Sequence, residues 1–284
     1  MHICVILPAH NEAKYISDCL YSFVHQTRPP EELIVVDDNS TDTTYDLARG
    51  FAKDHSWIKV VQHWSSSEHL PGDKVIRAFN FGLEHATNDY DLIGKFDADI
   101  ILPPNYFEKM RNHFQANWLL GMCSGVLQVE KNGKWIHENI ANKNHIRGPI
   151  KLYYRQVFEL MGGLRLGVGW DTVDTLLCQY HDFEVKTDLS LQVKHLRPTG
   201  HGYSTKNYRS KGEALYKMRY GLPLANLAVL KMAWQSKSPG LFLQGIFGYL
   251  SAVINRPPRF VNPYEGKFIR KYRFKGIFRK YVSK

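Results

Sequence analysis

Short apolar runs and amphipathic segments alternate through the first 105 residues, and this order constrains the fold more than any other feature. Four runs have the length of a buried strand: residues 3–7, 33–36, 58–61 and 92–96. Between them, apolar residues recur at the spacing of one helical face, as they do from Ile16 to Val24. This alternation predicts an α/β fold in which helices flank a doubly wound, mostly parallel sheet.

Polar clusters follow three of these predicted strands. They are His10-Asn11-Glu12, Asp37-Asp38 and Asp97-Ala98-Asp99. Open α/β sheets bind ligands outside the carboxyl ends of their strands, where all three clusters would meet. Any one cluster is better explained by a turn, since Asp and Asn favour turns. Three clusters on one edge predict a binding site.

Asp97 and Asp99 are the candidates for a metal site. Alternate residues of an extended chain point the same way, so the two carboxylates face one point. A hard divalent cation held by one or two carboxylates keeps open positions for nucleotide phosphates. The alternative is a solvated acidic turn. The first turn contains neither G-x-G-x-x-G nor a glycine-rich loop ending in Lys-Ser or Lys-Thr, which favours a metal over a glycine cradle for phosphate.

Four blocks, taken in order, resemble the motifs of the inverting glycosyltransferases of family 2, which have the GT-A fold. The blocks are residues 8–12 (PAHNE), residues 35–42 (VVDDNSTD), Lys74 with the small and polar residues that follow it, and residues 97–99 (DAD). Residues 167–174 (GVGWDTVD) resemble that family's acceptor-side acidic motif, so the likeness reaches about residue 200. The resemblance implies transfer of a sugar from a nucleotide-activated donor to an acceptor hydroxyl, with inversion. Within this family, the sequence resembles the bacterial glycosyltransferases that build surface polysaccharides and exopolysaccharides.

The resemblance also assigns a donor site. Asp38 or Asp37 would contact the base or ribose, and Lys74 would approach the base or the diphosphate, where a cation is physically sensible. UDP is the expected nucleotide because it is the common donor in this family. The full set of expected donor-binding residues is Pro8, Ala9, His10, Glu12, Asp37, Asp38, Lys74, Asp97 and Ala98.

The metal site implied by the resemblance would hold Mn²⁺ or Mg²⁺. Asp99 would be its principal ligand, and Asp97 would reach either the ribose or the ion through water. His195, at the end of a predicted late strand, would complete the site, since neutral imidazole is an acceptable ligand. The alternative is a histidine that fills a polar gap. The ion would neutralise charge on the departing nucleoside diphosphate.

An inverting transfer needs a base near the acceptor oxygen. Asp171 and Asp174 lie three residues apart at the start of a predicted helix, on one face and near its positive end. Asp174 aligns with the last acid of the family's Glu-Asp motif and is the predicted base, with Asp171 as the rival, because Val173 stands where the motif has Glu. Both acids are otherwise explained as helix caps. No Gln-x-x-Arg-Trp signature follows, which favours a single transfer over a polymerase.

Positive charge is concentrated at the end of the chain. The net charge is +10, and residues 256–284 contain ten Lys or Arg against the single acid Glu265, with aromatic residues between them. We expect a glycosyltransferase domain over residues 1–205, with a nucleotide-sugar half (1–105) and an acceptor half (106–205), and a helical, basic extension over 206–284. This composition suits a monotopic contact with an anionic membrane, and the alternatives are a helical pair packed on the core or a solvated tail.

The remaining predictions concern partners and compartment. Four widely spaced cysteines in apolar stretches indicate reduced core residues, and no run of 18 apolar residues occurs, so we expect a cytoplasmic protein, peripheral at the inner face of the cell membrane. The expected acceptor is a glycan or a lipid-linked sugar, and no compact motif indicates nucleic acid. Alternatives to the transferase are a nucleotide-sugar-binding scaffold without turnover and a sugar nucleotidyltransferase.

Overall fold

The computed structural model describes residues 1–65, 72–138, 146–197 and 206–282 of the chain, and within them the chain forms nine strands and ten helices. The strands are β1 (Ile3–Ala9), β2 (Glu32–Asp38), β3 (Ile58–His63), β4 (Leu92–Phe96), β5 (Ile100–Ile101), β6 (Leu120–Lys131), β7 (Lys134–His137), β8 (Ile150–Tyr154) and β9 (Glu184–His195). The helices are α1 (Ile16–Val24), α2 (Thr44–Asp54), α3 (Asp73–Glu84), α4 (Tyr106–Ala116), α5 (Arg155–Leu160), α6 (Trp170–Tyr180), α7 (Lys206–Lys217), α8 (Leu222–Gln235), α9 (Pro239–Asn255) and α10 (Pro263–Val282).

One sheet organises the fold, with the strand order β3-β2-β1-β4-β8-β6-β9-β5 and with β7 paired to β6. The first four strands of this order are parallel, as the alternating sequence pattern predicts. Beyond β4 the sheet is mixed, because β8 is antiparallel to both β4 and β6 while β6 and β9 are parallel. The predicted α/β fold with helices flanking a mostly parallel sheet is confirmed.

Helices cover both faces of the sheet. The buried residues of α1, α2 and α4 pack with one set of strand side chains, and those of α3, α5 and α6 pack with the other. The strands β1, β2 and β4 are buried on both faces, which explains why they are continuous apolar runs and not alternating ones. The four cysteines are buried and free, as predicted.

The helical extension, which comprises α7 to α10, shares its core with the sheet. Ala225, Val229 and Ile269 of the extension belong to the same buried cluster as Ile6 and Val36 of the sheet. The predicted boundary between residues 205 and 206 adjoins residues 198–205, which lie outside the described part of the chain. Among the described helices, none is both long enough and apolar enough to cross a membrane.

Gly82 allows α3 to lie directly on the sheet. A Cβ atom at this position would stand 2.6 Å from methyl groups of Ile6 and Val36, both β-branched and fully buried. Because those side chains are stiff, we expect Gly82→Ala to lower the free energy of unfolding by about 1–3 kcal/mol. Gly50 of α2 is the matched control, since a Cβ there would meet nothing within 4 Å.

The Gly50→Ala variant should gain about 0.5–1 kcal/mol, because Ala favours a helix interior over Gly. Urea unfolding curves of the two variants and the wild type measure both effects. A Gly82→Ala midpoint at or above that of the wild type would contradict the tight packing of α3 on β1 and β2.

Candidate active site

Asp97, Asp99 and His195 converge at the carboxyl end of β4. The two aspartates follow this strand directly, and the short strand β5 pairs antiparallel with the end of β9, which places Ile100 opposite His195. Each of the three residues offers a ligand atom, and these atoms lie within 4.8 Å of one another. The Oδ1 atom of Asp99 lies 3.5 Å from Nε2 of His195. The predicted acidic cluster and the predicted third ligand are therefore brought together.

Two cations compensate the acidic cluster. Arg197 donates from Nε to Oδ2 of Asp99 over 3.1 Å and from Nη2 to Oε1 of Glu12. Lys95, whose side chain is 2% exposed, forms an ion pair with Asp97. Arg197 thereby connects the loop after β1 with the loop after β4, so that Glu12 and Asp99 belong to one network.

The ionisation of this network follows from burial and from its charges. Burial would raise the pKa of Asp99, but contacts with His195 and Arg197 outweigh burial and lower it. Burial would lower the pKa of His195, but Asp99 and Glu138 outweigh burial and raise it to about 9. The pKa of Glu12 is raised, because burial and the charges of Asp99 and Asp97 exceed the effect of Arg197. A metal that binds to His195 would therefore displace its proton.

The side chains of Asp97, Asp99 and His195 are suited to bind a divalent cation that also coordinates phosphate. Two carboxylates and one imidazole supply three ligands of the types that Mn²⁺ accepts, which leaves positions for other oxygen atoms. Two buried carboxylate oxygens around the site have no hydrogen-bond partner among the described residues: Oε2 of Glu12 and Oδ1 of Asp37. Buried polar atoms are normally paired, so this concentration indicates a ligand-binding edge.

The expected donor residues line the ends of β1 and β2. Asp37 is paired with Ala9 in the sheet and is 2% exposed. Asp38 is held from both sides, since its Oδ1 lies 2.7 Å from Nδ1 of His63 and its backbone oxygen lies 2.7 Å from Nδ1 of His10. Asp37 thus offers a buried acceptor, whereas the carboxylate of Asp38 already has a partner.

Lys74 lies in the first turn of α3, half-buried. Gly72 caps this helix with φ of 81°, and a Cβ there would stand 2.7 Å from the backbone of Gly167. The start of α3 therefore touches the glycine-containing segment that leads into α6, so the donor and acceptor halves meet at this point. Pro8 and Ala98 complete the predicted donor set, at the end of β1 and between the two aspartates.

Asp174 lies in a buried ion pair. Its side chain is 1% exposed, and both of its carboxylate oxygens lie 2.8 Å from Nζ of Lys151, which is fully buried. The hydroxyl of Tyr153 donates to Oδ2 over 2.7 Å, and the backbone N–H of Thr175 donates to Oδ1 over 2.5 Å. A carboxylate so enclosed is poorly placed to receive a proton from an acceptor hydroxyl. Asp174 as the base remains a prediction that this geometry does not favour.

Asp171 has a different environment, although it lies on the same helix. It is half-exposed, and within the described part of the chain its carboxylate forms no ion pair. A Cβ at Gly148 would lie 3.6 Å from the Cβ of Asp171, and the adjoining Pro149 accepts a backbone hydrogen bond from Asp97. Asp171 is therefore next to the loop that borders the acidic cluster.

Trp170 connects the two halves of the site. Its ring lies 5.2 Å from Nζ of Lys95 and 5.3 Å from Nζ of Lys151. These lysines are directly opposite each other on β4 and β8, an arrangement that is unfavourable unless the charges are compensated. Asp97 and Asp174 compensate them, and the aromatic ring adds a cation–π contact to each.

Four residues of this site were not assigned from the sequence: Lys95, Lys151, Glu138 and Arg197. A lone Lys within each of the apolar strands β4 and β8 is a usable signal, because a charge in a buried strand requires a partner. Glu138 and Arg197 give no such signal, since each follows a strand in an ordinary polar segment.

The sheet, with its acidic cluster after the central strand β4, has the arrangement of the GT-A fold, and solved structures of glycosyltransferases share this fold. The family model described as "Glycosyl transferase family 2" matches residues 4–169. The chain belongs to this family.

The curated relatives are much longer than the matched segments. The chain is 28% identical over 169 residues to the putative glycosyltransferase EpsH of Bacillus subtilis, a match that covers 60% of this chain and 45% of EpsH. It is 38% identical over 69 residues to a poly(ribitol-phosphate) beta-glucosyltransferase of Bacillus spizizenii, covering 24% of this chain and 11% of that protein. The chain thus spans less than half the length of these relatives.

Two solved structures illustrate the shared fold. Staphylococcus aureus TarS, residues 1–349 in complex with UDP-GlcNAc, aligns with a TM-score of 0.58 and 17% identity, over 75% of this chain and 65% of that one. The mannosyltransferase PcManGT from Pyrobaculum calidifontis, in complex with GDP-Man and Mn²⁺, aligns with a TM-score of 0.61 and 18% identity, over 99% and 82%. The second alignment also includes the helical extension.

Proposed function

We propose that the protein transfers a sugar from a nucleoside diphosphate sugar to an acceptor hydroxyl, with inversion at the anomeric carbon. The observation that carries the proposal is the convergence of Asp97, Asp99 and His195 beside unpaired buried acceptors, in a chain of family 2. Carboxylates gathered at the carboxyl edge of an α/β sheet suit the charged diphosphate of such a donor when a metal is present.

Asp97, Asp99 and His195 would hold Mn²⁺ or Mg²⁺ in this reaction. Such an ion supplies charge neutralisation at the leaving diphosphate. Arg197 keeps Asp99 and Glu12 aligned through its two hydrogen bonds, and the unpaired Oδ1 of Asp37 would accept a hydrogen bond from the base or ribose. Lys74, in the first turn of α3, would place its charge towards the diphosphate.

Asp171 is the base that we propose on the acceptor side. It is accessible, without an ion pair among the described residues, and next to the loop that bonds to Asp97. Asp174 would instead fix the first turn of α6, since Lys151 donates both to Asp174 and to the backbone oxygen of Asp171. Lys151 is therefore a positioning residue for the proposed base.

The donor proposed here is a UDP-sugar, and the acceptor is a polysaccharide or lipid-linked sugar of a bacterial surface. UDP-GlcNAc is bound in the TarS structure and poly(ribitol-phosphate) is named for one relative, which supports this choice. The PcManGT structure contains GDP-Man, so GDP is the alternative nucleotide to test against UDP. The direct test is isothermal titration of UDP, GDP and dTDP, each with and without Mn²⁺.

We expect one nucleotide to bind, and to bind tightly only with Mn²⁺. A binder without turnover is distinguished by following sugar release from the corresponding nucleotide sugar, because only an enzyme consumes it. If no nucleotide binds with Mn²⁺, Mg²⁺ or metal-free buffer, the proposed function is rejected.

Glu138 is a candidate positioning residue for His195. Its Oε2 lies 3.7 Å from Nδ1 of His195 and 2.8 Å from Nη2 of Arg147, and all three side chains are buried. A carboxylate behind a metal-binding histidine fixes the ring and its tautomer, and its loss typically costs about 10- to 100-fold in metal affinity. We expect Glu138→Gln to weaken Mn²⁺ binding, measured without nucleotide, by about that factor.

The exposed Glu84 supplies the control, since Glu84→Gln removes the same charge at the last residue of α3, the end of that helix away from Lys74. In a His195→Gln background, Glu138→Gln should cause little further loss, because there is no imidazole to orient. Equal Mn²⁺ affinities for Glu138→Gln and Glu84→Gln would show that Glu138 does not position the ligand.

A further inference from the structure

The outer surface of α8 carries an apolar stripe that the sheet does not cover. Leu227, Leu230 and Trp234 recur at i, i+3 and i+7, so they lie along one side of this helix, and all three are exposed. Trp234 is 84% exposed, which is unusual for the largest apolar side chain. The opposite side of α8, which includes Val229, is buried in the core shared with the sheet.

A second stripe lies along α9. Leu243, Phe247, Leu250 and Ile254 recur at i, i+4, i+7 and i+11, and Ile254 is 77% exposed. The inner side of α9 is held firmly, because a Cβ at Gly248 would stand 2.1 Å from the backbone of α7. The stripe is therefore presented by a helix of fixed orientation, and it follows directly on the stripe of α8 through a three-residue connection.

The charge of the chain around these stripes is mostly positive. Residues 214–264 contain six Lys or Arg and no acid, and residues 214–284 together contain 14 Lys or Arg against the single acid Glu265. Lys231, Lys237 and Arg256 are exposed, and each lies within four residues of a stripe residue. An apolar surface on helices whose charge is mostly positive matches an anionic partner that has an apolar interior.

The last helix adds a stripe of lysines. Lys267, Lys271 and Lys275 are exposed at i, i+4 and i+8, with Tyr264 before them and Phe278 after them. The other side of α10 is anchored: Ile269 is fully buried and neighbouring arginines donate to residues 219 and 220. Aromatic and cationic side chains together are suited to the headgroup layer of a bilayer.

We infer that α8, α9 and α10 form a docking surface for an anionic lipid bilayer. The stripes of α8 and α9 would enter the boundary between headgroups and acyl chains, and the lysines of α10 would contact lipid phosphate. A second copy of the chain is a poor occupant, because two such surfaces would repel each other. Nucleic acid would use the lysines but would leave the apolar stripes exposed. The inference does not depend on the transferase reaction.

Vesicle co-sedimentation of the full chain tests the surface. We expect binding to vesicles of phosphatidylglycerol and phosphatidylcholine, weaker binding at high salt, and little binding to phosphatidylcholine alone. The variant Lys267→Glu/Lys271→Glu/Lys275→Glu should lose at least roughly 100-fold in partition coefficient, because the loss of about 1 kcal/mol for each lysine accounts for that factor before the added carboxylates repel the anionic membrane. The control Lys53→Glu/Lys131→Glu/Lys134→Glu makes the same charge change at exposed positions of the sheet domain and should change binding much less.

Tryptophan quenching by brominated lipids tests the insertion of the apolar stripes. Trp234 and Trp118 are similarly exposed, at 84% and 80%, but only Trp234 lies on the proposed surface. Membrane-dependent quenching should largely disappear in Trp234→Phe and persist in Trp118→Phe. Circular dichroism of each variant confirms that it is folded.

Four results would overturn the inference. One is the absence of binding to anionic vesicles at low salt, and another is an equal loss in the two charge-reversal variants. A third is quenching that disappears with Trp118 and not with Trp234. The fourth is a lipid-free dimer, seen by light scattering, that Phe247→Ser converts to a monomer, since a second copy would then be the occupant.

Discussion

Replacing Asp99 with Asn is expected to abolish metal-dependent nucleotide binding while leaving the protein folded. Asp99 is the member of the acidic cluster that contacts His195 and Arg197 at once, and its pKa is lowered, so it is ionised at neutral pH. Asn keeps the shape of the side chain but removes the charge that attracts a divalent cation. We expect at least about a 100-fold loss of Mn²⁺-dependent affinity. Losing a residue that only orients a metal ligand already costs about 10- to 100-fold in metal affinity, and Asp99 is itself a proposed ligand.

Asp89→Asn is the matched control for this experiment. The Asp89 side chain is 90% exposed and precedes β4, whereas Asp99 follows it, so the control removes one carboxylate near the opposite end of the strand. Titrations with UDP and GDP, each with and without Mn²⁺, compare the two variants. Unchanged Mn²⁺-dependent affinity in Asp99→Asn would contradict the proposed metal site, and an equal loss in both variants would point to general electrostatics.

The second large effect separates the two acids of α6. Asp171→Asn should lower the turnover number by about 10²- to 10⁴-fold, the usual contribution of a general base, while nucleotide affinity stays within about twofold of the wild type. Its stability should change by less than about 1 kcal/mol, because within the described residues its carboxylate has no ion pair to lose and only its favourable position in the first turn of α6 is weakened. Turnover is measured with the nucleotide sugar and acceptor at saturating concentrations.

Asp174→Asn should behave in the opposite way. It leaves the buried ammonium of Lys151 without its counter-ion, so the free energy of unfolding should fall by about 3–5 kcal/mol. The double variant Lys151→Met/Asp174→Leu removes both charges together and should recover part of the lost free energy of unfolding. It therefore tests whether Asp174→Asn is destabilised because the Lys151 charge stays buried without a counter-ion. If Asp174→Asn is as stable as the wild type and inactive, while Asp171→Asn remains active, then Asp174 is the base, as the sequence motif predicts.

Most of the sheet edge was predictable because its signals are local. The runs that become β1, β2 and β4 are apolar apart from Lys95, and the acids that follow them lie at one edge because the carboxyl ends of parallel strands meet there. The convergence of His195 with Asp99 also follows the prediction, although its cause, the pairing of β5 with β9, joins residues that are 93 and 95 positions apart. No local pattern specifies such a pairing.

The environments of Asp171 and Asp174 were not predictable, because they depend on β8. Both acids have the spacing of one helical face, yet one is half-exposed and the other is enclosed by Lys151 and Tyr153. Helical periodicity predicts which residues share a face of the helix. It does not predict which of those residues will contact a buried cation on another strand. Glu138 and Arg197 were missed for the same reason, since their partners are distant in sequence.

The opposed lysines of β4 and β8 have a consequence for how the chain folds. Lys95 and Lys151 share the face of the sheet that holds Ile93 and Tyr153, while Phe96 and Leu152 lie on the other face. A slip of β8 by one residue would turn its lysine into the apolar layer formed by that second pair, at a high cost in desolvation. The ammonium groups therefore fix the strand register, and the distance between the acidic cluster and α6 is already set when these two strands pair.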